Sequence, residues 1–87
     1  MFAEFVGQNV VLDLRSQYVC LGKLVQFDDH AVRLVDADMH DLRDSDTTRE
    51  NYIAASLSSG IKRNRKSVLI ACSDIVGISL LTEVVDE

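Results

Sequence analysis

The stretch FDDHAV, residues 27–32, sets an aromatic ring, two carboxylates and an imidazole between two apolar runs. Such a combination suits a loop between two strands that holds a nucleobase, or a tight turn whose charged residues face water. A second cluster is KRNRK, residues 62–66, in which Lys62, Arg63, Arg65 and Lys66 place four of the nine basic side chains within five positions. Cations packed this closely contact phosphate without reading base sequence, although many such runs are only solvated loops. A third is the acidic run DADMHDLRDSD, residues 36–46. Asp36, Asp38 and His40 alternate in it as the first ligands of a calcium loop would. Asp41 occupies the position that needs glycine and no glutamate closes the loop, so a solvated loop or a helix-capping region is expected there and no metal. Serine, histidine and aspartate all occur, but there is no Gly-x-Ser-x-Gly turn, phosphate-binding glycine loop or Cys-x-x-Cys pair. Neither an enzyme nor a cofactor is expected.

Composition limits what these clusters can mean. At 87 residues and 47% apolar content the chain is read as one domain, 1–87, with one core. A net charge of −5 weighs against a nucleic-acid partner, but the charge is divided between the acidic run and the basic one. No apolar run reaches the roughly 18 residues of a membrane span, and Met1-Phe2-Ala3-Glu4 lacks the basic start of a signal peptide. A cytoplasmic protein without a membrane partner is therefore expected. Cys20 and Cys72 sit in apolar runs rather than at ligand spacing, which favours buried reduced thiols over a disulfide. The absence of proline and the small number of glycines argue against a long linker.

The elements that must position the clusters are mostly strands. Val10, Leu12 and Leu14 share one face of a strand, with Val11, Asp13 and Arg15 on the other. RSQY reads as a turn, and Tyr18 to Phe27 as a long strand whose Gly22 permits a sharp bend or a close backbone approach. A third strand follows through Val32 and Leu34, and two more are expected at Ser67–Cys72 and Ile75–Leu81. Between them, Thr47 and Glu50 have the spacing of a capping box, Ile53 and Leu57 lie at i and i+4, and Gly60 is placed to end a helix. The spacing predicts a short helix over about 46–60, with an extended hairpin as the alternative. The order β-β-β-α-β-β makes the chain mainly β: a strongly bent, five-stranded antiparallel barrel of SH3-like or OB-like type, with a short helix inserted between strands 3 and 4.

FVGQNVVLDLRSQYVCLGKLVQFDDHAV resembles the first motif of Sm and Sm-like proteins, through Val6-Gly7, the alternating apolar residues, Gly22 with Leu24, and Phe27-Asp28. VLIACSDIVGIS resembles the second motif. The likeness covers residues 5–35 and 67–81, and is closer to bacterial Sm-like proteins than to spliceosomal ones. It implies an Sm-type barrel that closes into a hexameric or heptameric ring of identical subunits, strand 4 of one pairing with strand 5 of the next. In RNA-binding members a Phe-Asp-x-His-Met-Asn segment and an Arg-Gly pair sandwich and read uracil at the pore. Asp28 matches the aspartate and His30 the stacking position. Val32 stands where the asparagine would be, Ala71-Cys72 replaces Arg-Gly, and Gln17 replaces a turn glycine.

The residues give their own reason to expect association. SVLIAC and IVGISLL are almost continuously apolar and carry none of the charges that keep edge strands apart, so they need cover from another copy unless the monomer's own core buries them. Two function classes follow. One is an RNA-associated ring with an eroded uridine pocket, in which Asp28 and His30 mark the pore and Lys62, Arg63, Arg65 and Lys66 form a crown for the phosphates of single-stranded RNA. The other is a homo-oligomeric scaffold without RNA binding, whose protein partner docks on the helix or the acidic loop.

Overall fold

The computed structural model describes residues 1–44 and 46–85; Ser45, within the acidic run, and the last two positions of the expected domain lie outside the described residues. Five strands, β1 (Asn9–Leu14), β2 (Tyr18–Phe27), β3 (Ala31–Asp41), β4 (Arg65–Ala71) and β5 (Ile75–Leu80), form one antiparallel sheet in the order β4-β3-β2-β1-β5. Helix α1 (Arg49–Ser59) is inserted between β3 and β4, as the sequence predicts. A 3₁₀ turn at Phe2–Phe5, which no sequence signal announced, packs Phe2 and Phe5 against the core.

The bend lies at the irregularity of the β2–β3 ladder around Gly22. A Cβ built on Gly22 would lie 3.1 Å from both Cα and Cβ of Ala37 and 3.2 Å from the Val35 carbonyl oxygen, so the backbones meet where only hydrogen fits. The ladder shifts register between Leu21 and Lys23 and again between Leu24 and Gln26. Asp36, the extra residue on β3, takes a φ of 49°, a left-handed conformation that aspartate tolerates better than most residues. Here the structure departs from the sequence reading. The first half of the acidic run is the far end of an 11-residue strand rather than a loop, because its alternate residues Ala37 and Met39 feed the core.

Two apolar layers result. The concave side holds Val10, Leu12, Leu14, Cys20, Leu24, Val32, Leu34, Ala37 and Ile70. On the convex side Val11, Val19 and Leu21 are buried beneath Ile53 of α1 and Leu81. Burying a side chain such as Ile53 contributes about 1.5–3 kcal/mol, and helices this short depend on such docking. Thr48, not Thr47, caps α1: its Oγ1 accepts the Asn51 N–H at 3.1 Å, one residue later than the capping-box spacing suggested. Gly60 ends the helix at φ 91°, as expected, its N–H donating to the Ser56 carbonyl at 2.8 Å. Ile53 and Ser56 form the buried face, and Leu57 is exposed.

The β4–β5 connection, Cys72–Asp74, ties the bent sheet together. The Cys72 N–H donates to the His30 carbonyl at 2.8 Å, and Arg15 donates to Asp74 O at 2.8 Å from its backbone and to Ser73 O at 2.6 Å from Nε. Replacement of Gly22 by valine, whose branched carbons have no space beside Ala37, is expected to lower stability by ~1–3 kcal/mol, measured as a shift of the urea midpoint at unchanged slope.

Candidate nucleic-acid interface and sheet edges

The β2–β3 turn is built by Asp28. Its Oδ1 accepts the backbone N–H groups of His30 at 2.7 Å and Ala31 at 2.9 Å, and its own N–H donates to Ala31 O at 3.0 Å. These two backbone donors hold the Asp28 carboxyl below the usual carboxylate range. His30 is exposed at the tip. Through the His30–Cys72 hydrogen bond and the Ala31–Ala71 pair, the turn sits against the β4–β5 connection. The two motif segments therefore meet, and Asp28, His30, Ala71 and Cys72 come together. The chemistry they offer is thin. Val32 is fully buried in the concave core and presents nothing to solvent, and Ala71 is exposed but uncharged.

Lys62 and Arg63 follow α1 in the connection to β4, whereas Arg65 and Lys66 are the first residues of β4 itself rather than part of the loop. All four are exposed. Arg63 Nη1 lies 2.6 Å from Asp36 Oδ1, and Arg65 Nη1 donates to Asn64 O at 3.0 Å. An ion pair as exposed as Arg63–Asp36 is a weak tether. The β3–β4 ladder runs from Ala31–Ala71 to Ala37–Arg65, a span of roughly 20 Å at ~3.3 Å per residue. Within one chain the six residues thus form two groups, Asp28 with His30 at one end of this ladder and the basic residues at the other.

Under α1 lies a polar network that sequence reasoning missed. Asp38, only 7% exposed, accepts hydrogen bonds from the Tyr52 hydroxyl and, at 3.1 Å, from Asn64 Nδ2. Asn64 also donates from Nδ2 to Met39 O at 3.0 Å and accepts the Met39 N–H at Oδ1 at 3.0 Å. The His40 ring stacks on Tyr52 at 3.8 Å and 9°, with its Nε2 buried and unpartnered. Burial pushes the Asp38 carboxyl above its usual range, and the charge of His40 opposes that shift. The alternation of Asp38 and His40 was legible as a two-residue period, but their partners come from α1 and the following loop. Asp41, at the end of β3, is bound by Arg43 instead, whose hydrogen bonds hold its carboxyl down to about 2. Among the described residues no group of histidine, cysteine or acidic side chains could hold a metal ion.

Both cysteines are free. Cys20 is fully buried, and desolvation pushes its thiol up to about 12, which makes it a packing residue. Cys72 is half-buried, with Sγ 3.8 Å from the Asp28 carbonyl oxygen.

The sheet ends at β4 on one side and β5 on the other. Ile70 is the one buried side chain of β4, while Leu69 is 58% exposed, and Val76 on β5 is 68% exposed. The monomer's own core therefore leaves these edges uncovered. A cleft of ≈ 350 Å³ adjoins β4, lined in part by Leu14, Tyr18, Met39, Ile70 and Asp74. No helix among the described residues is long and apolar enough to cross a membrane.

No protein-family model matches the chain, and no curated protein matches it. A solved structure does: the Sm protein of Pyrococcus abyssii in complex with a uridine heptamer is similar over 91% of this chain and 90% of that one, with a TM-score of 0.63 at 18% identity. The fold is Sm-like.

The raised Asp38 carboxyl gives a pH prediction. The folded state favours its neutral form, so stability falls as pH rises from the unfolded value near 4 toward the raised folded one. Urea unfolding from pH ~3.5 to ~8 should show wild-type protein losing stability relative to Asp38→Asn across that window and a constant difference above it. Parallel pH profiles would contradict the buried, ionisable role of Asp38.

Proposed function

We propose that this chain assembles through its β4 and β5 edges into a closed Sm-type ring, of the kind bacterial Sm-like proteins form, and that the ring contacts single-stranded RNA mainly through phosphate. The observation that carries the reading is the pair of uncovered edges at opposite ends of one bent sheet, each with an exposed apolar residue. Beyond Arg65 and Lys66 the β4 edge carries no charge, and β5 carries none, so these stretches invite another strand. When both halves of such a contact belong to the same chain, head-to-tail pairing generates a closed ring if the rotation closes. The likeness to a protein solved with a uridine heptamer supports the RNA half of the proposal.

The site composition limits what kind of RNA contact this is. Asp28 is engaged by the turn backbone and Val32 lies in the core, so of the matched motif positions Asp28, His30 and Val32 it is His30 that is left to meet a base. Stacking on one ring contributes ~1–3 kcal/mol per base and discriminates little between bases. Lys62, Arg63, Arg65 and Lys66, repeated around a ring, supply phosphate contacts instead, and many weak contacts add through avidity. Affinity should therefore be indifferent to base and steeply dependent on salt. A cytoplasmic location accompanies this reading.

Fluorescence anisotropy with oligouridine and a mixed-sequence oligoribonucleotide, at low and moderate salt, tests it. The two probes should bind within ~3-fold of each other, and replacement of all four basic residues by serine should cost ~10-fold or more at low salt and more than His30→Ala does. Unchanged binding by the fourfold variant would remove the basic residues from the account. Absence of binding at either salt concentration would favour the scaffold function, with a protein partner on α1 or the acidic run.

A further inference from the structure

Beneath the C-terminal half of α1 lies a cavity of ≈ 150 Å³ whose lining includes Asp38, Tyr52, Ser56, Ser59 and Lys62. Its polar groups are lopsided. Ser56 Oγ donates to the Tyr52 carbonyl at 3.2 Å and Ser59 Oγ to the Ala55 carbonyl at 2.7 Å, so each hydroxyl proton is already engaged by the helix backbone. The Tyr52 hydroxyl donates to Asp38. What these three side chains have left to offer is oxygen lone pairs. Asp38 accepts hydrogen bonds from Tyr52 and Asn64, two of the roughly four that a carboxylate can take. It pairs with Leu21 on the convex side, is 7% exposed, and forms no ion pair among the described residues. His40, two positions further along the strand, is held in its stack on Tyr52. A buried carboxylate without a cation is costly, and the last turn of α1, the negative end of the helix dipole, carries no basic residue.

We infer that this cavity is a binding site for a small α-amino acid, its ammonium group held by Asp38, Ser56 and Ser59 and its carboxylate by Lys62. An ammonium carries three N–H donors and no acceptor, the complement of a wall that offers lone pairs. A neutral ligand would leave the Asp38 charge unanswered. A bare amine would answer it but would also face Lys62, which lines the same cavity, is exposed and has no ion-pair partner among the described residues. A carboxylate carried on the same carbon as the amine removes that conflict and gives the lysine its counter-ion. Size points the same way: the cavity equals about five waters at ~30 Å³ each, which suits a molecule of about six heavy atoms, such as glycine, alanine or serine. A ligand that small is limited in affinity, and a Kd of ~0.1–10 mM is expected. The site is built from β3, α1 and the connection after it within one chain, so it depends neither on the ring nor on RNA.

L-alanine, ethylamine and propionate separate the two charges, because ethylamine lacks the carboxylate and propionate the amine. Titrated at neutral pH into the ¹⁵N-labelled protein and followed by amide chemical shifts, L-alanine should give saturable shifts at Asp38, Ser56, Ser59 and Gly60, and the other two should bind ~10-fold or more weakly. Asp38→Asn and Lys62→Met should each weaken L-alanine ~10-fold or more, since each leaves one charge of the ligand without its partner. If far-UV circular dichroism shows that Asp38→Asn does not fold, Ser59→Ala, at an exposed position, takes its place with an expected loss of ~3-fold or more. Absence of saturable shifts up to ~50 mM L-alanine overturns the site. Ethylamine binding as tightly as L-alanine, or more tightly in Lys62→Met than in wild type, makes it a plain cation site and overturns the amino-acid assignment. L-alanine affinity unchanged by these substitutions places the ligand elsewhere and overturns it as well.

Discussion

The contact on which the rest of this molecule depends is the close approach of β2 to its neighbour β3 at Gly22 and Ala37. A side chain there would hold the strands apart, and its absence lets a long strand fold over the core that its own alternate residues create. Once β2 bends, β1 and β5 are carried to one side of the sheet and β3 and β4 to the other. The Cys72–Asp74 connection then bridges the opening with hydrogen bonds to His30 and Arg15. It joins β4 to β5 in sequence without pairing them, so the curvature that closes the core also leaves two strand edges free.

The same geometry separates architecture from chemistry in the motif turn. Asp28 satisfies two backbone donors, and a turn of this shape needs such an acceptor whether or not a ligand is present. Val32 belongs to the core, where a polar amide would need buried partners. The ring surface that remains exposed at this turn is the His30 imidazole and part of the Phe27 ring. The cations stand at the far end of the β3–β4 ladder, so the basic residues and the motif turn are held apart by the sheet itself.

Period-two alternation, Gly22 and the turn residues made the succession of strands legible in the sequence, and the i, i+4 spacing closed by Gly60 the inserted helix, because each is a local consequence of side-chain spacing. Asp36–Asp41 was harder to read. Its acidic residues suggested a solvated loop, but Ala37 and Met39 are drawn into the core and Asp38 into a network whose other members, Tyr52 and Asn64, lie on later elements. Local spacing carries no sign of partners supplied from so far along the chain. The helix cap was misplaced by one residue because two adjacent threonines offer the same chemistry, and only the path of the incoming chain selects Thr48. The placement of Asp28 and His30 beside Ala71 and Cys72 followed from the motif likeness, whereas the separation of the basic cluster required the ladder register.

Helix α1 gives this barrel an outer coat. Val11, Val19 and Leu21 present to it a surface as apolar as the interior, and Arg49 is pinned to Asp13 beneath it at 3.2 Å. The insertion is therefore not an ornament on a self-sufficient scaffold. A trimmed version that joined β3 directly to β4 would bare a greasy wall and strand the Asp38 carboxylate, so the minimal folding unit of this chain includes its helix.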